Sequence, residues 1–395
     1  MTADVPVTQS QSHAAIATLS TPVPRPAGVP KHNNFDFLRL FLAALVVFSH
    51  SWALGVGSEE GEPFFQLTRH TIFGHGTTLG HLAVDGFFVI SGFLITASWD
   101  RRRSTFDYFK KRVARIYPGF IVCAALCVFA LPYLVMPHGD WRHAPIGRFL
   151  VDTARLYYES YPQGADGKSI IFADNVFPGR SSNGSLWSIP YEFWCYVGVA
   201  VIGMLGLMSR RSIVLALFAL SLLTAAVFSA GHIQFSGNVF GTIFGFPPFW
   251  ARLLPFYLAG VVAWRYRDVL QFNAIGGAVA LIGLAVTCAV PHGWTVGLPV
   301  FGAYFLLWLS LESKLPVVRT SRFGDFSYGL YLYAFPIQQL IVWKAGGSMN
   351  PWLLLAISLP VSLIAGALSW HLVEKWFLRV AHRVPVPSPG APGEG

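Results

Sequence analysis

Arg39 and His50 stand eleven positions apart in one apolar stretch, Phe35-Asp-Phe-Leu-Arg-Leu-Phe-Leu-Ala-Ala-Leu-Val-Val-Phe-Ser-His50. On a helix, eleven steps make about three turns, so both side chains project from one face roughly 16 Å apart. The stretch continues to about Gly57 and is long enough to span a bilayer. An ionisable side chain at membrane depth is costly, about 2.5–3.5 kcal/mol for Arg near the centre, so two on one stripe point to function. The alternative is an Arg39 that snorkels to the membrane edge and a His50 satisfied inside a helical bundle.

Depth brings two carboxylates into the same reading. Counted from Phe37, His50 lies about 20 Å into a hydrocarbon core of about 30 Å, roughly 10 Å short of the far surface. A span entered near Leu186 places Glu192 about 9 Å below that same surface, and Asp85 on another span is about 5 Å down. Histidine can take a proton from a hydroxyl, and a carboxylate can orient it and stabilise its imidazolium. The alternative for Asp85 is a helix N-terminal dipole partner, and for Glu192 a polar residue at a helix end. On the near side, Arg101, Arg102, Arg103, Lys110 and Lys111 precede Arg112 and Arg115. The Arg101–Arg103 run reads as a topology signal. Arg112 and Arg115, spaced i,i+3, share a helix face, where two guanidiniums suit bidentate phosphate recognition.

The elements that must hold these groups are membrane helices. The 395-residue chain is 54% hydrophobic and only 12% charged, about half the charge of a soluble domain. Its formal charge of +9 is dispersed in short loops between apolar spans, which argues against a nucleic-acid partner. Ten apolar segments are expected, at 36–56, 82–99, 116–136, 186–207, 212–230, 247–264, 273–290, 294–311, 326–343 and 351–373. Alternate connections carry the cations (Arg101–Arg103 with Lys110–Arg112, Arg210 with Arg211, Arg265 with Arg267, and Lys314, Arg319 and Arg322), which predicts an all-α polytopic fold of ten transmembrane helices with both termini cytoplasmic. Residues 1–33 and 384–395 are expected to be flexible tails around a single domain spanning 34–383. Cys123, Cys127, Cys195 and Cys288 all fall in apolar spans and read as small buried hydrophobes. His70, His75 and His81 match no recognisable ligand spacing, so no metal is expected. The 137–185 loop is long enough to have a role of its own, either as an acceptor platform or as a surface cap. Asn183-Gly-Ser185 reads formally as a glycosylation sequon.

In order along the chain, the motifs resemble the membrane-bound acyltransferase-3 family, which acylates hydroxyls on cell-surface and secreted glycans and other molecules. Arg39 and His50 match its Arg-x10-His signature, and Gly86-Phe-Phe-Val-Ile-Ser-Gly-Phe-Leu94, with Asp85 ahead of it, is similar to its second-span motif. Lys111-Arg-Val-Ala-Arg-Ile-Tyr-Pro118 and Ser185-Leu-Trp-Ser-Ile-Pro-Tyr-Glu-Phe193 resemble two further elements. Arg252-Leu-Leu-Pro-Phe-Tyr-Leu-Ala-Gly260, Gly324-Asp-Phe-Ser-Tyr-Gly-Leu-Tyr-Leu-Tyr333 and Ser369-Trp-His-Leu-Val-Glu374 fit its later spans. The chain departs from the family at Ala334, where His is frequent, and at Trp376, where Pro is frequent.

The resemblance implies a ten-span helical core in a bacterial inner membrane and acyl-coenzyme A, expected to be acetyl-coenzyme A, as a cytoplasmic donor rather than a permanently bound cofactor. It implies phosphate contacts from Arg39, Arg112 and Arg115. His50 would be the general base, or the carrier of a covalent acyl group, with Glu192 or Asp85 orienting it. Trp187, Tyr191 and Arg252 are the expected acceptor-side residues; Arg252 could stabilise an oxyanion or simply pair with Asp85 or Glu192. The competing reading is a transporter or flippase for a lipid-linked glycan, using the same charges as a pathway. A haem protein would need facing histidine pairs, and His50 and His371 are expected at opposite depths.

Overall fold

The computed structural model describes residues 33–69, 76–102, 104–135, 146–156, 182–231, 244–290, 292–312 and 324–382. The expected tails, His70, His75, Arg103, Lys314, Arg319, Arg322 and most of the 137–185 loop lie outside these residues. Every described element is helical. In chain order they are α1 (Phe35–Gly55), α2 (Pro63–Arg69), α3 (Leu79–Asp100), α4 (Thr105–Ala125, extended by Leu131–Val135), α5 (Ile146–Ala154) and α6 (Ile189–Met204). They continue as α7 (Arg211–Ser229), α8 (Pro247–Arg265), α9 (Ala274–Cys288), α10 (Trp294–Leu311), α11 (Ser327–Lys344) and α12 (Pro351–His382). Six of them (α1, α3, α4, α7, α10 and α12) are long and apolar enough to cross a membrane, and the remaining four apolar segments fall on the shorter or more polar α6, α8, α9 and α11.

Two helices run well past their apolar windows. α4 begins at Thr105 rather than 116, because Ser104 accepts a hydrogen bond from Asp107 N and caps it, and Lys111 pairs with Asp107 one turn on. α12 continues to His382 through a π turn at Trp370–Glu374, which points Glu374 into the protein. π turns also interrupt α4 at Leu126–Ala130 and α10 at Leu298–Gly302.

Polar ties at the helix ends sort the bundle into two poles. At one pole Asn34, just ahead of α1, donates to the Leu309 and Glu312 carbonyls at the end of α10, and Asp100 at the end of α3 pairs with Arg265 and Trp264 at the end of α8. At the other, Met349 N bonds the last carbonyl of α1, at Gly55. α3 forms the centre of the bundle and packs closely on α8 at Gly92 and Gly260. A Cβ on Gly92 would collide with the Tyr257 carbonyl, and one on Gly260 with the Val89 carbonyl. All four cysteines are buried and none forms a disulfide, in keeping with their positions in apolar spans.

Candidate active site

α1 and α3 are antiparallel neighbours, and three contacts fix their alignment. Phe35 stacks on Phe93 with ring centres 5.7 Å apart, a Cβ on Gly86 would meet Leu42 at 3.1 Å, and one on Gly80 would meet Ser49 at 2.7 Å. Ser91 is therefore level with the first turn of α1, and Gly80 is level with the turn that carries His50. Eleven helical steps separate those two levels, about 16 Å.

Glu192 lies at the Ser91 level. Its Oε1 accepts the Ser91 hydroxyl at 3.0 Å and the Tyr196 hydroxyl at 2.6 Å. This differs from the similar depth expected for Glu192 and His50, and the cause is local. Leu186 is fully buried, and the chain enters α6 through a 3-10 turn at Leu186–Ser188 inside the bundle, so α6 starts well below the pole from which its depth was counted. Tyr331 donates to the Ser185 carbonyl at 2.5 Å and accepts the Ser188 hydroxyl at 2.7 Å, which fixes that turn.

A cavity of about 410 Å³ runs beside α3 from Ile95 to Val84. Arg39, Arg112, Arg115 and Asp325 line one end, and Glu192, Ser91 and Tyr196 line its wall. Asp325 Oδ2 binds Arg115 Nη2 at 2.8 Å and Arg39 Nη2 at 3.1 Å; Arg39 also pairs with Asp36 at 2.5 Å, and Arg115 Nη1 lies 3.6 Å from the buried Glu374. Burial works to raise the Asp325 carboxyl, but Arg115 and Arg39 outweigh it and hold it below the usual carboxylate range. Arg112 differs from its neighbours: among the described residues it has no carboxylate partner, and its guanidinium lies 5.8 Å from the Tyr196 ring centre and 5.9 Å from that of Tyr108. Its Nε and that of Arg39 are buried without a hydrogen-bond partner among the described residues. The structure thus gathers all three expected arginines at one site and leaves one of them uncompensated.

His50 stands apart, toward the other pole. Its ring lies edge-on to Phe335 at 5.0 Å, and its Nδ1 is buried without a hydrogen-bond partner among the described residues. Neither Glu192 nor Asp85 bonds to it. Asp85 instead pairs with Arg252 at 3.1 Å, and the same Arg252 nitrogen donates to the His81 carbonyl at 3.1 Å. Of the roles left open for Arg252, pairing with Asp85 is the one the geometry presents. The Arg252 guanidinium lies 6.0 Å from the Trp187 ring centre, and Trp187 packs on Phe249 at 4.5 Å. Tyr191 is buried outside the cavity, its hydroxyl accepting Phe246 N at 2.7 Å. Ala334 is buried against α1, in a cluster with Ala43 and Val47.

Several residues of the site have no signal of their own in the sequence. Ser91, Asp325 and Glu374 sit inside recognisable motifs but carry no spacing signal, and Tyr196 follows Glu192 by one turn. Asn183 of the formal sequon is fully buried and donates to the Leu332 carbonyl at 2.9 Å, an environment no glycan could share.

Residues 32–371 match the acyltransferase-3 family, described as an acyltransferase domain. The chain is 30% identical over 356 residues to an O-acetyl transferase of Shigella phage Sf6, covering 88% of this chain and 96% of that protein. It is 28% identical over 372 residues to nodulation protein 10 of Rhizobium leguminosarum bv. viciae, covering 87% and 92%. With the acyltransferase MdmB of Streptomyces mycarofaciens it shares 25% identity over 345 residues, covering 78% and 84%. No solved structure matches the chain. The ordered motifs, the apolar helices and this family match over most of the chain lead to one conclusion: the protein is a multi-pass membrane member of the acyltransferase-3 family.

Proposed function

We propose that this protein is an O-acyltransferase of the bacterial inner membrane, moving an acyl group, acetyl in the first instance, from cytoplasmic acyl-coenzyme A to a hydroxyl of a cell-surface or exported glycan. The observation that carries the reading is the elongated cavity with Arg39, Arg112 and Arg115 at one end, where Arg112 has no carboxylate partner among the described residues. A half-buried guanidinium that no described carboxylate neutralises suits an anion, and its planar fork suits phosphate. The name of the phage relative, an O-acetyl transferase, supports acetyl as the group and oxygen as the acceptor atom.

In this reading ten spans place both termini, and the arginine pole, in the cytoplasm. The coenzyme A phosphates meet Arg112 first, with Arg39 and Arg115 beside it. The pantetheine arm lies along α3 past Glu192 toward Val84, and the thioester is presented in the direction of His50. The acceptor arrives from the opposite pole, near Trp187 and the Asp85–Arg252 pair. His50 takes the proton of the acceptor hydroxyl as its oxygen attacks the thioester carbonyl. The carbon–sulfur bond then breaks, and the departing thiolate recovers that proton, leaving ester and free coenzyme A.

The test is chemical. Purified protein given acetyl-coenzyme A and a deacylated surface glycan should release free coenzyme A in step with acetyl ester on the glycan. Reconstituted vesicles that translocate a lipid-linked glycan without releasing coenzyme A would instead establish the flippase reading.

A further inference from the structure

Among the described residues, Asp325 is the one acidic residue that contacts two of the three donor-end arginines. It lies just ahead of α11, whereas Arg39 is on α1 and Arg115 on α4. Both guanidiniums end on the same oxygen, Oδ2, at 3.1 and 2.8 Å. The other oxygen is not free to swing, because Ser327 Oγ donates to Oδ1 at 2.6 Å. The carboxylate is therefore fixed to the start of α11 and clasps an arginine from each of two other helices. A guanidinium carries five N–H donors; Asp325 engages one nitrogen of each, Asp36 takes a second donor of Arg39, and Glu374 lies near the other terminal nitrogen of Arg115, so part of the donor capacity of both remains available. Without the carboxylate, two like charges would face each other across the gap it fills, one helical turn from the uncompensated Arg112.

We infer that Asp325 is a positioning residue of the donor site, holding Arg39 and Arg115 together as one arm of a phosphate cradle whose other arm is Arg112. This rests on the donor reading above. Asp325 touches neither phosphate nor thioester; it sets where two of the cationic groups stand. Glu374 supports the same arrangement from α12, 3.6 Å from the second Arg115 nitrogen.

Binding of coenzyme A to the purified full-length protein, together with steady-state turnover, tests this. Asp325→Asn should raise the coenzyme A Kd and the acyl-coenzyme A KM about ten-fold, the scale of one charge-assisted hydrogen bond, while kcat at saturating donor stays within about three-fold. Asp325→Glu should recover part of the loss. Because the residue acts through the arginines, adding Asp325→Asn to Arg115→Ala should cost less than about three-fold more; a merely structural role would give additive effects. If Asp325→Asn does not fold, Ser327→Ala loosens the same carboxylate without removing charge and should raise Kd about two- to five-fold. Unchanged or tighter coenzyme A binding in the folded Asp325 variant, in Ser327→Ala if that variant does not fold, or full additivity with Arg115→Ala, would overturn the inference. Failure of the wild-type protein to bind coenzyme A is a different result and would remove the donor reading itself.

Discussion

Arg112 and Arg115 are one helical turn apart on α4, yet their electrostatic surroundings differ, and their substitutions should therefore separate. Arg112→Ala removes a cation that no described carboxylate pairs with, so donor affinity should fall about ten- to a hundred-fold with little change in melting temperature. Arg115→Ala also strips Asp325 and the fully buried Glu374 of a counter-ion, and breaking such a buried pair costs about 3–5 kcal/mol. Thermal unfolding should show that loss in Arg115→Ala alone, and equal melting temperatures would mean the network contributes little. Asp325 adds a pH expectation. Its folded carboxyl is held below the unfolded value of about 3.9, so the stability it contributes is complete above that value and is lost only as pH falls through the lower folded one. Donor KM should accordingly be flat on account of this group from about pH 5 to 8; a step in KM within that window would mean that Asp325 titrates there. At the other pole His50 should be needed for turnover but not for donor binding. His50→Ala is expected to keep coenzyme A affinity and lose transfer by about 10²–10⁴-fold, and retention of more than about a tenth of activity would make His50 a structural histidine.

At the scale of elements, the central contact is between α3 and α8, which approach through Gly92 and Gly260 closely enough that neither has room for a Cβ. α3 carries Ser91 and Asp85 on the path between the two poles, and α8 carries Arg252. Separating these helices would disturb both ends of the site together. Gly260→Ala should cost about 1–3 kcal/mol by overpacking and should impair donor binding and turnover alike. Purified variant with unchanged melting temperature and activity would show that the helices can slide without consequence. The hairpin before α3 depends on a different device. Glu62 is fully buried, and its two oxygens accept Phe65 N and Leu79 N, capping α2 and α3 at once.

Across the whole molecule, the two poles defined by the helix-end ties should correspond to the two sides of the membrane. Cysteines at Ser348 and Ala230, both exposed, should react with an impermeant thiol reagent added outside intact cells. Cysteines at Ser104 and Ser209, also exposed, should react only after permeabilisation. The four native cysteines are buried and should give little background. External labelling at Ser104 would invert the membrane orientation proposed here and put the arginine pole on the wrong side for a cytoplasmic donor.

The sequence alone determined the helical class and the pairing of Arg112 with Arg115 on one face, because apolar length, loop charge and i,i+3 spacing are local properties that survive without knowledge of the neighbours, and its ordered motifs carried the family. It also placed Arg39 and His50 at opposite levels of one helix, which the straight run of α1 preserves. Tertiary structure decided what lies between them. Glu192 belongs with the arginine end because α6 starts inside the bundle, a fact set by the buried turn at Leu186–Ser188 rather than by hydropathy. Asp85 is paired with Arg252 from a helix about 170 positions away, and Asp325 with two arginines from two other helices. Which carboxylate neutralises which cation depends on how helices distant in sequence align. No periodicity within any one segment encodes that alignment.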